Sequence, residues 1–302
     1  MKVLMITGDK NLLIPGTEAN RRLELQRSQV EELAVVYWGR GSIWPNIPQG
    51  HFDVVTAQDP FWRGHFAEHV ARVLGARLNL QVHTDLSALS WLVRHWASFN
   101  LRTADSIRVV SEKVKKEVES MGVKTPVHVL PIYIDVERFR SIQHKPQKNK
   151  KTILWIGRFE AEKDPSQAIT ILEKVRKGGI DAKLTMLGSG GMEQKLREQA
   201  ADLPVEFPGW QDPVQHLEVV DVVLCTSKHE SYGASIIEAL AAGVPVVALD
   251  VGVAREAGAI VVPREQLTEA VADVLKKGTR GTLRLALPNA LEWAHRWKET
   301  LL

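Results

Sequence analysis

A single cysteine, Cys225, leaves the chain no internal disulfide and suits a reducing compartment; set in an apolar strand, it reads as a core filler. Long apolar runs are missing as well. The longest uncharged one, Ala239 to Leu249, is far below the roughly 20 residues that span a bilayer, and Met1 to Thr7 opens straight into a strand pattern rather than a signal peptide. A cytoplasmic location is therefore expected. The ten histidines are scattered, with neither a Cys/His cluster nor His-Glu-x-x-His among them, so zinc and iron sites find no support. No P-loop and no complete Gly-x-Gly-x-x-Gly follows the first strand, which argues against a kinase or a dinucleotide dehydrogenase. Internal repeats of about 20 to 50 residues are also lacking, which disfavours solenoids and propellers.

What is present is ordinary globular material: 302 residues, 44% apolar and 25% charged, long for one core and comfortable for two. In the first half, strands are expected at residues 2–7, 33–38, 53–58, 78–83, 106–110 and 127–130, with helices over 17–32, 62–74, 88–99 and 111–121 between them. The second half starts afresh, with strands at 151–157, 183–188, 205–207, 221–227, 245–249 and 259–262 and helices over 165–177, 192–203, near Val214 and from about Tyr232. This alternation implies an α/β protein of two doubly wound, Rossmann-like domains, each a parallel sheet covered on both faces. The polar stretch Ser141 to Lys150, carrying Pro146, reads as the linker and sets the domains at 1–145 and 146–302. Charge is uneven between the halves. Residues 1–150 hold 21 Lys and Arg against 15 Asp and Glu, a net of +6, and the remainder 18 against 21, a net of −3. Arg21-Arg22 and the trio Lys113, Lys115 and Lys116 could meet an anionic acceptor or a negatively charged leaflet, or could be plain solvated helix faces.

The densest chemistry lies in His229 to Ala248, where Glu230 and Glu238 stand eight positions apart. A strand leads into a Ser231-Tyr232-Gly233 turn and an apolar-periodic helix, whose first turn would offer the N–H groups of Tyr232, Gly233 and Ala234 beside a carboxylate. Eight residues at 3.6 per turn rotate about 80° beyond two turns, so both glutamates are expected on one helix face. Phosphate fits the amides and hydroxyl groups fit the carboxylates. A sugar nucleotide carries both. An amphipathic helix that merely happens to hold two glutamates is the competing account.

This run, with Gly243 and Pro245, then Val251-Gly252 and Glu256, resembles the Glu-x7-Glu signature of retaining, nucleotide-sugar-dependent glycosyltransferases of family 4 (glycosyl transferases group 1). The resemblance implies GT-B architecture, two Rossmann-like domains facing each other across a cleft, with the acceptor on the first and the nucleotide sugar on the second. It places Glu230 at the donor sugar and Glu238 at the nucleotide ribose. Gly157 to Asp164 is similar to the family's Gly-Arg-x-x-x-x-Lys segment, which implies that Arg158 and Lys163 stabilise the leaving diphosphate; ion pairing with Glu160 or Glu162 is the alternative. His83, after the fourth strand, matches a histidine that approaches the donor sugar, though a structural histidine would end a strand equally well. Gly188 lies in a turn like the family's Leu-Gly-x-Gly, and Trp210 in a segment like the one beside the base; an ordinary packed loop would also suit Trp210. Of the family's Gly-Gly loop after the first strand only Gly16 remains, so that loop is shaped differently or serves the acceptor. Asp59 and His65 are acceptor candidates. In resembling proteins the last helix crosses back to the first domain, and residues 288–302, with Trp293 and Trp297 at helical spacing, would do the same or cap their own domain.

No Asp-x-Asp is present, the pair that metal-dependent glycosyltransferases of the other large architecture use, so no metal and no cofactor are expected to be required. The expected partners are a nucleotide-sugar donor, preferably a UDP-sugar, and a carbohydrate or lipid-linked acceptor, with peripheral membrane contact through the basic first domain; nucleic acid is not expected. A non-catalytic nucleotide-sugar sensor or partner subunit, or a GT-B sugar-nucleotide epimerase, stays open as an alternative.

Overall fold

A computed structural model describes residues 1–39, 45–145 and 150–302. The chain divides into two compact units, Met1–Tyr133 with Pro288–Leu302, and Ile134–Leu287. Both are doubly wound. The first unit runs β1 (Lys2–Thr7), α1 (Glu18–Arg27), β2 (Glu32–Tyr37), β3 (Val54–Gln58), α2 (Trp62–Leu74), β4 (Arg77–Val82), α3 (Trp91–Thr103), β5 (Ser106–Val109), α4 (Glu112–Ser120) and β6 (Val127–Val129). Its sheet order is β2-β1-β3-β4-β5-β6, with every pairing parallel.

The second unit holds α5 (Val136–Arg140), β7 (Lys151–Ile156), α6 (Pro165–Lys177), β8 (Ala182–Leu187), α7 (Glu193–Gln199), β9 (Val205–Gly209), α8 (Val214–Leu217), β10 (Val222–Cys225), α9 (Ala234–Ala241), β11 (Val246–Ala248), α10 (Ala254–Ala257), β12 (Ile260–Val261) and α11 (Leu267–Lys277). Its order, β12-β11-β10-β7-β8-β9, is again all parallel. Helices on both faces explain why the central strands read as unbroken apolar runs: Ile153 and Leu154 of β7 and Val222 to Leu224 of β10 are buried on both sides.

The final helix, α12 (Ala290–Glu299), belongs to the first unit. Trp293 and Trp297 are fully buried in one cluster with Val3, Met5, Leu23 and Leu130, and the Trp293 indole N–H donates to the Pro131 carbonyl at 2.8 Å. The cluster is not only greasy. Beneath it a buried polar ladder crosses the sheet, in which Thr56 Oγ1 donates to Asn79 Oδ1 (2.8 Å), Gln81 Nε2 to Thr56 Oγ1 (2.8 Å), and Arg108 Nη1 to Gln81 Oε1 (2.7 Å). Asn79 Nδ2 donates within the sheet to Ser106 Oγ at 2.9 Å and reaches on to the Thr300 carbonyl at 2.8 Å, so the end of α12 takes the second hydrogen of this buried amide.

Several boundaries differ from the sequence reading. The first helix stops at Arg27 instead of 32, because Glu32 already pairs with Lys2 as the start of β2. Residues 134–145, placed by composition with the first domain, pack with the second: His144 Nε2 meets the Val220 carbonyl at 2.7 Å and the Lys145 N–H donates to the Glu218 carbonyl at 2.8 Å. Residues 146–149 of the expected linker lie outside the described residues.

Trp297→Ala should cost about 3–5 kcal/mol, the range for emptying a fully enclosed aromatic site. Urea unfolding followed by far-UV circular dichroism reads this, and a loss below about 1 kcal/mol would show that α12 does not hold the first unit together.

Candidate functional site

In the second sheet the strand order reverses between β7 and β10, the place where an open parallel sheet leaves a crevice beyond its carboxyl ends. Two loops rise there, residues 157–164 after β7 and 226–233 after β10. They meet through a half-buried ion pair in which Lys163 Nζ lies 2.6 Å from Glu230 Oε1, and Ser227 Oγ donates to the same oxygen at 2.8 Å. The two candidates that the sequence set 67 positions apart therefore share one carboxylate oxygen.

Buried supports fix this meeting. Thr226 Oγ1 accepts the Trp155 indole N–H at 2.9 Å and lies 2.9 Å from the carbonyls of both Lys163 and Asp164, while the Lys228 N–H donates to the Glu162 carbonyl at 2.8 Å. Asp164 itself takes a left-handed backbone (φ 48°), is paired with Arg264 at 2.6 Å, and is followed by Pro165 as the first residue of α6. Burial, aided by the neighbouring Glu230 charge, pushes the Cys225 thiol above its usual pKa, so it stays a neutral filler at the end of β10.

Gly188, just past β8, closes the floor. A Cβ there would stand 1.8 Å from the Gly157 carbonyl oxygen, so only glycine lets the 188–192 turn lie on the 157–160 loop. The contact is laced by Gly157 N–H to the Leu187 carbonyl (3.0 Å) and Phe159 N–H to the Ser189 carbonyl (2.9 Å), and the Gly188 N–H donates to the Gly209 carbonyl (3.0 Å), next to Trp210. Trp210 presents its ring largely to solvent. Arg158 is also exposed and pairs with Glu162 at 2.5 Å, the ion pair that stood as the alternative to a phosphate role.

Helix α9 opens at Ala234, with Gly233 (φ 97°) as its N-cap, rather than near Tyr232. Glu230 and Ser231 precede the helix. Glu230 and Glu238 are thus not two positions on one helix face: the first is on the approaching turn and the second, half-buried, is on the helix itself. The glycine's positive φ is what turns the chain sharply enough to aim the first turn of α9 at the crevice. Tyr232 is buried and its hydroxyl has no partner; burial holds its pKa well above the usual phenol range, which leaves its main chain, not its ring, at the helix start.

In the first unit, His83 directly follows β4. Its Nε2 is buried without a partner, and burial, with the charges of Arg108 and Arg22, brings its pKa down to about 3. Arg108 is buried and drawn down to about 9, its guanidinium spent on the carbonyls of Leu130 and Pro131 and on Gln81. Asp59, also with positive φ (67°), accepts from Thr84 Oγ1 at 2.8 Å and from the His83 N–H at 3.4 Å; burial raises its pKa against these bonds. It holds the β3 and β4 exits together. His65 lies on α2 and faces a cavity of about 390 Å³ lined with Trp38, Trp62, Phe66 and His69. Gly16 is exposed in the turn before α1, well beyond the end of β1, and the glycine next to that strand end is Gly8, under the Arg63 guanidinium. Among the described residues no three His, Cys, Asp or Glu side chains gather as a metal would need, and no helix is long and apolar enough to cross a membrane.

Residues 136–288, half of the chain, match the family described as glycosyl transferases group 1, and residues 17–138 match glycosyltransferase family 4. The chain belongs to the glycosyl transferases group 1 family. Among relatives, this group 1 chain is 28% identical over 208 residues to a GDP-mannose-dependent alpha-(1-6)-phosphatidylinositol dimannoside mannosyltransferase of Mycobacterium tuberculosis, covering 62% of this chain and 54% of that protein. It is 25% identical over 234 residues to an alpha-monoglucosyldiacylglycerol synthase of Streptococcus pneumoniae, covering 66% and 52%. The chain spans about half the length of these curated relatives. In structure it superposes on the lipopolysaccharide outer core galactosyltransferase WaaB with a TM-score of 0.70 at 16% identity over 99% of both chains. Anabaena HepE, solved with UDP and glucose, gives 0.67 at 14% over 99% of this chain and 95% of that one. The fold is GT-B.

Sequence reasoning missed Thr226 and Ser227, which fasten the group 1 signature to the loop after β7. Their signal was faint: two small hydroxyl residues where an apolar strand ends. His83 supplies a sharp test. With its pKa depressed, the imidazole stays neutral in the folded chain while an unfolded histidine protonates near 6.5, so its contribution to stability is present above about pH 6.5 and falls away toward pH 3. The NMR signals of His83 should keep neutral-form shifts down to pH 5; a midpoint near 6.5 would contradict the buried environment.

Proposed function

We propose that this group 1 chain is a retaining glycosyltransferase that moves a sugar from a nucleoside diphosphate sugar to an acceptor hydroxyl, with no metal required. The observation that carries the reading is the Lys163–Glu230–Ser227 contact at the β7/β10 crevice, where a cation, a carboxylate and the start of α9 converge. Diphosphate binds at the amides of α9, where the N-terminal end of the helix favours negative charge. Lys163 and Arg158 meet the charge that grows on the leaving phosphate, Arg158 by exchanging an exposed and weakly held Glu162. Glu230, released from Lys163, orients the sugar hydroxyls; Glu238 takes the ribose; Gly188 lets the backbone approach the nucleotide; and Trp210 lies near the base.

On the first unit, the partnerless Nε2 of His83 suits a hydroxyl of the donor sugar, and His65, at the edge of the cavity it lines with Trp38 and Trp62, suits the acceptor. Attack occurs on the face the leaving group departs from, and a phosphate oxygen takes the acceptor proton, so Glu230 need not bond covalently to the sugar. UDP is the first nucleotide to try. The mannosyltransferase relative's name puts GDP-mannose beside it.

A panel of UDP- and GDP-hexoses with glycan and glycolipid acceptors tests the reading. Released nucleotide with transfer to the acceptor, and retained anomeric configuration, is the expected result; tight donor binding without turnover would instead make the chain a sensor. Glu238→Ala should weaken donor binding by roughly 10- to 100-fold, the loss of a charged hydrogen bond. Arg158→Ala should lower kcat by about 100-fold or more with little change in KM. Excess EDTA should leave the rate unchanged.

A further inference from the structure

We propose that α2 and α3 of the first unit form a contact face for an anionic lipid bilayer. This goes beyond the donor chemistry and does not depend on it. Trp91, Leu92 and Phe99 of α3 are 75%, 61% and 61% exposed, and Trp62, which opens α2, is 69% exposed. Trp91, His95 and Phe99 recur at four-residue spacing, so they share one side of the helix, while Ala97, Asn100 and Leu101 on the other side are buried. Trp96 stands edge-on to Trp62 with ring centroids 4.9 Å apart, which makes the two helices one continuous aromatic surface. Asn100 Nδ2 donates to the Pro60 carbonyl at 2.8 Å and fixes α3 to the loop that starts α2.

Charge on this surface runs one way. Residues 86–104 contain no Asp or Glu, whereas Arg94 and Arg102 lie within α3. In α2, Glu68 is matched by Arg72, and Arg63 Nε donates to the Trp38 carbonyl at 3.0 Å. Tryptophan with arginine, and no acid over residues 86–104, is the composition that sits at the boundary between headgroups and acyl chains: ring edges enter, and guanidinium groups meet phosphate. A protein partner would ask for no such exclusion of carboxylates. The basic clusters evident from the sequence are poorer candidates, because Arg21 is paired with Glu18 at 2.7 Å and Lys113 with Asp85 at 2.7 Å. Beside the face, the apolar cavity lined by Trp38, Trp62, His65, Phe66 and His69 could accept one acyl chain.

The full chain should co-sediment with vesicles of phosphatidylcholine mixed with phosphatidylglycerol, with a blue shift of tryptophan emission, and should bind far less to phosphatidylcholine alone. Trp91→Ser with Phe99→Ser should lower partitioning at least roughly tenfold while far-UV circular dichroism stays unchanged. Arg94→Gln with Arg102→Gln should weaken binding to the anionic vesicles only. Lys115→Gln with Lys116→Gln should leave it intact. Absence of vesicle binding, equal binding by the Trp91/Phe99 variant, or loss in the Lys115/Lys116 variant would overturn the assignment. So would a self-association, seen by sedimentation velocity, that the Trp91/Phe99 change abolishes, because the face would then belong to a second copy.

Discussion

Because β7 lies beside β10 while its sequence neighbour β8 pairs on its other edge, the chain leaving β7 and the chain leaving β10 must turn toward opposite faces of the sheet. Everything at the candidate site follows from that divergence. It leaves the strand ends uncovered, so backbone and side chains there can be turned toward a ligand instead of toward a helix. It also creates a mechanical problem, since two loops that part company need something to hold them in register. Thr226 supplies it: one buried hydroxyl takes the Trp155 indole hydrogen and sits against two carbonyls of the opposite loop. A valine of the same shape would leave the Trp155 indole N–H unmet in a dry site.

Held in this way, Lys163 and Glu230 are in contact, Nζ lying 2.6 Å from Oε1. A half-buried ion pair adds little to stability, since desolvation offsets most of the attraction. Its value lies elsewhere. Neither group stands alone and desolvated, so the site avoids the cost of an uncompensated charge. In the proposed reaction, a diphosphate taking over Lys163 would free Glu230 for the sugar hydroxyls. Such an exchange would swap partners without stripping either group bare, whereas Arg158, exposed and paired with Glu162, would yield at almost no cost.

The alternation of short apolar strands with helices was legible because burial on both faces leaves no room for polar interruptions, and both sheets follow from it. Glu230, Lys163 and Gly188 were legible as a signature, but their contact was not: 67 residues separate the charged pair, and only the strand order brings them together. The expectation that both glutamates share a helix face failed for a local reason, namely that Gly233 at positive φ delays the helix to Ala234. Helix α11 went unread although Leu267, Val271, Val274 and Leu275 repeat with helical period, because no cap residue or proline marks its start. The change of unit at 133/134 was hidden for a similar cause. Composition shifts at the polar stretch after 141, but α5 is apolar on the side that packs against α9, and packing rather than polarity sets the boundary.

The first unit shows the same physics with the opposite emphasis. Its central strands carry Thr56, Asn79, Gln81 and Arg108, polar residues that a two-sided sheet should exclude. Each is tolerable only because its neighbour satisfies it, and the ladder's last donor is met by a carbonyl from the far end of the chain. Polar groups at this depth make the docking of α12 specific, since an apolar helix could slide along an apolar sheet but cannot slide past Asn79 without giving up the bond to the Thr300 carbonyl. The ladder also brings Arg108 close to His83, where burial first, and that fixed positive charge second, keep the imidazole neutral. A structural network thereby adds to the effect of burial on the protonation state of the histidine at the end of β4.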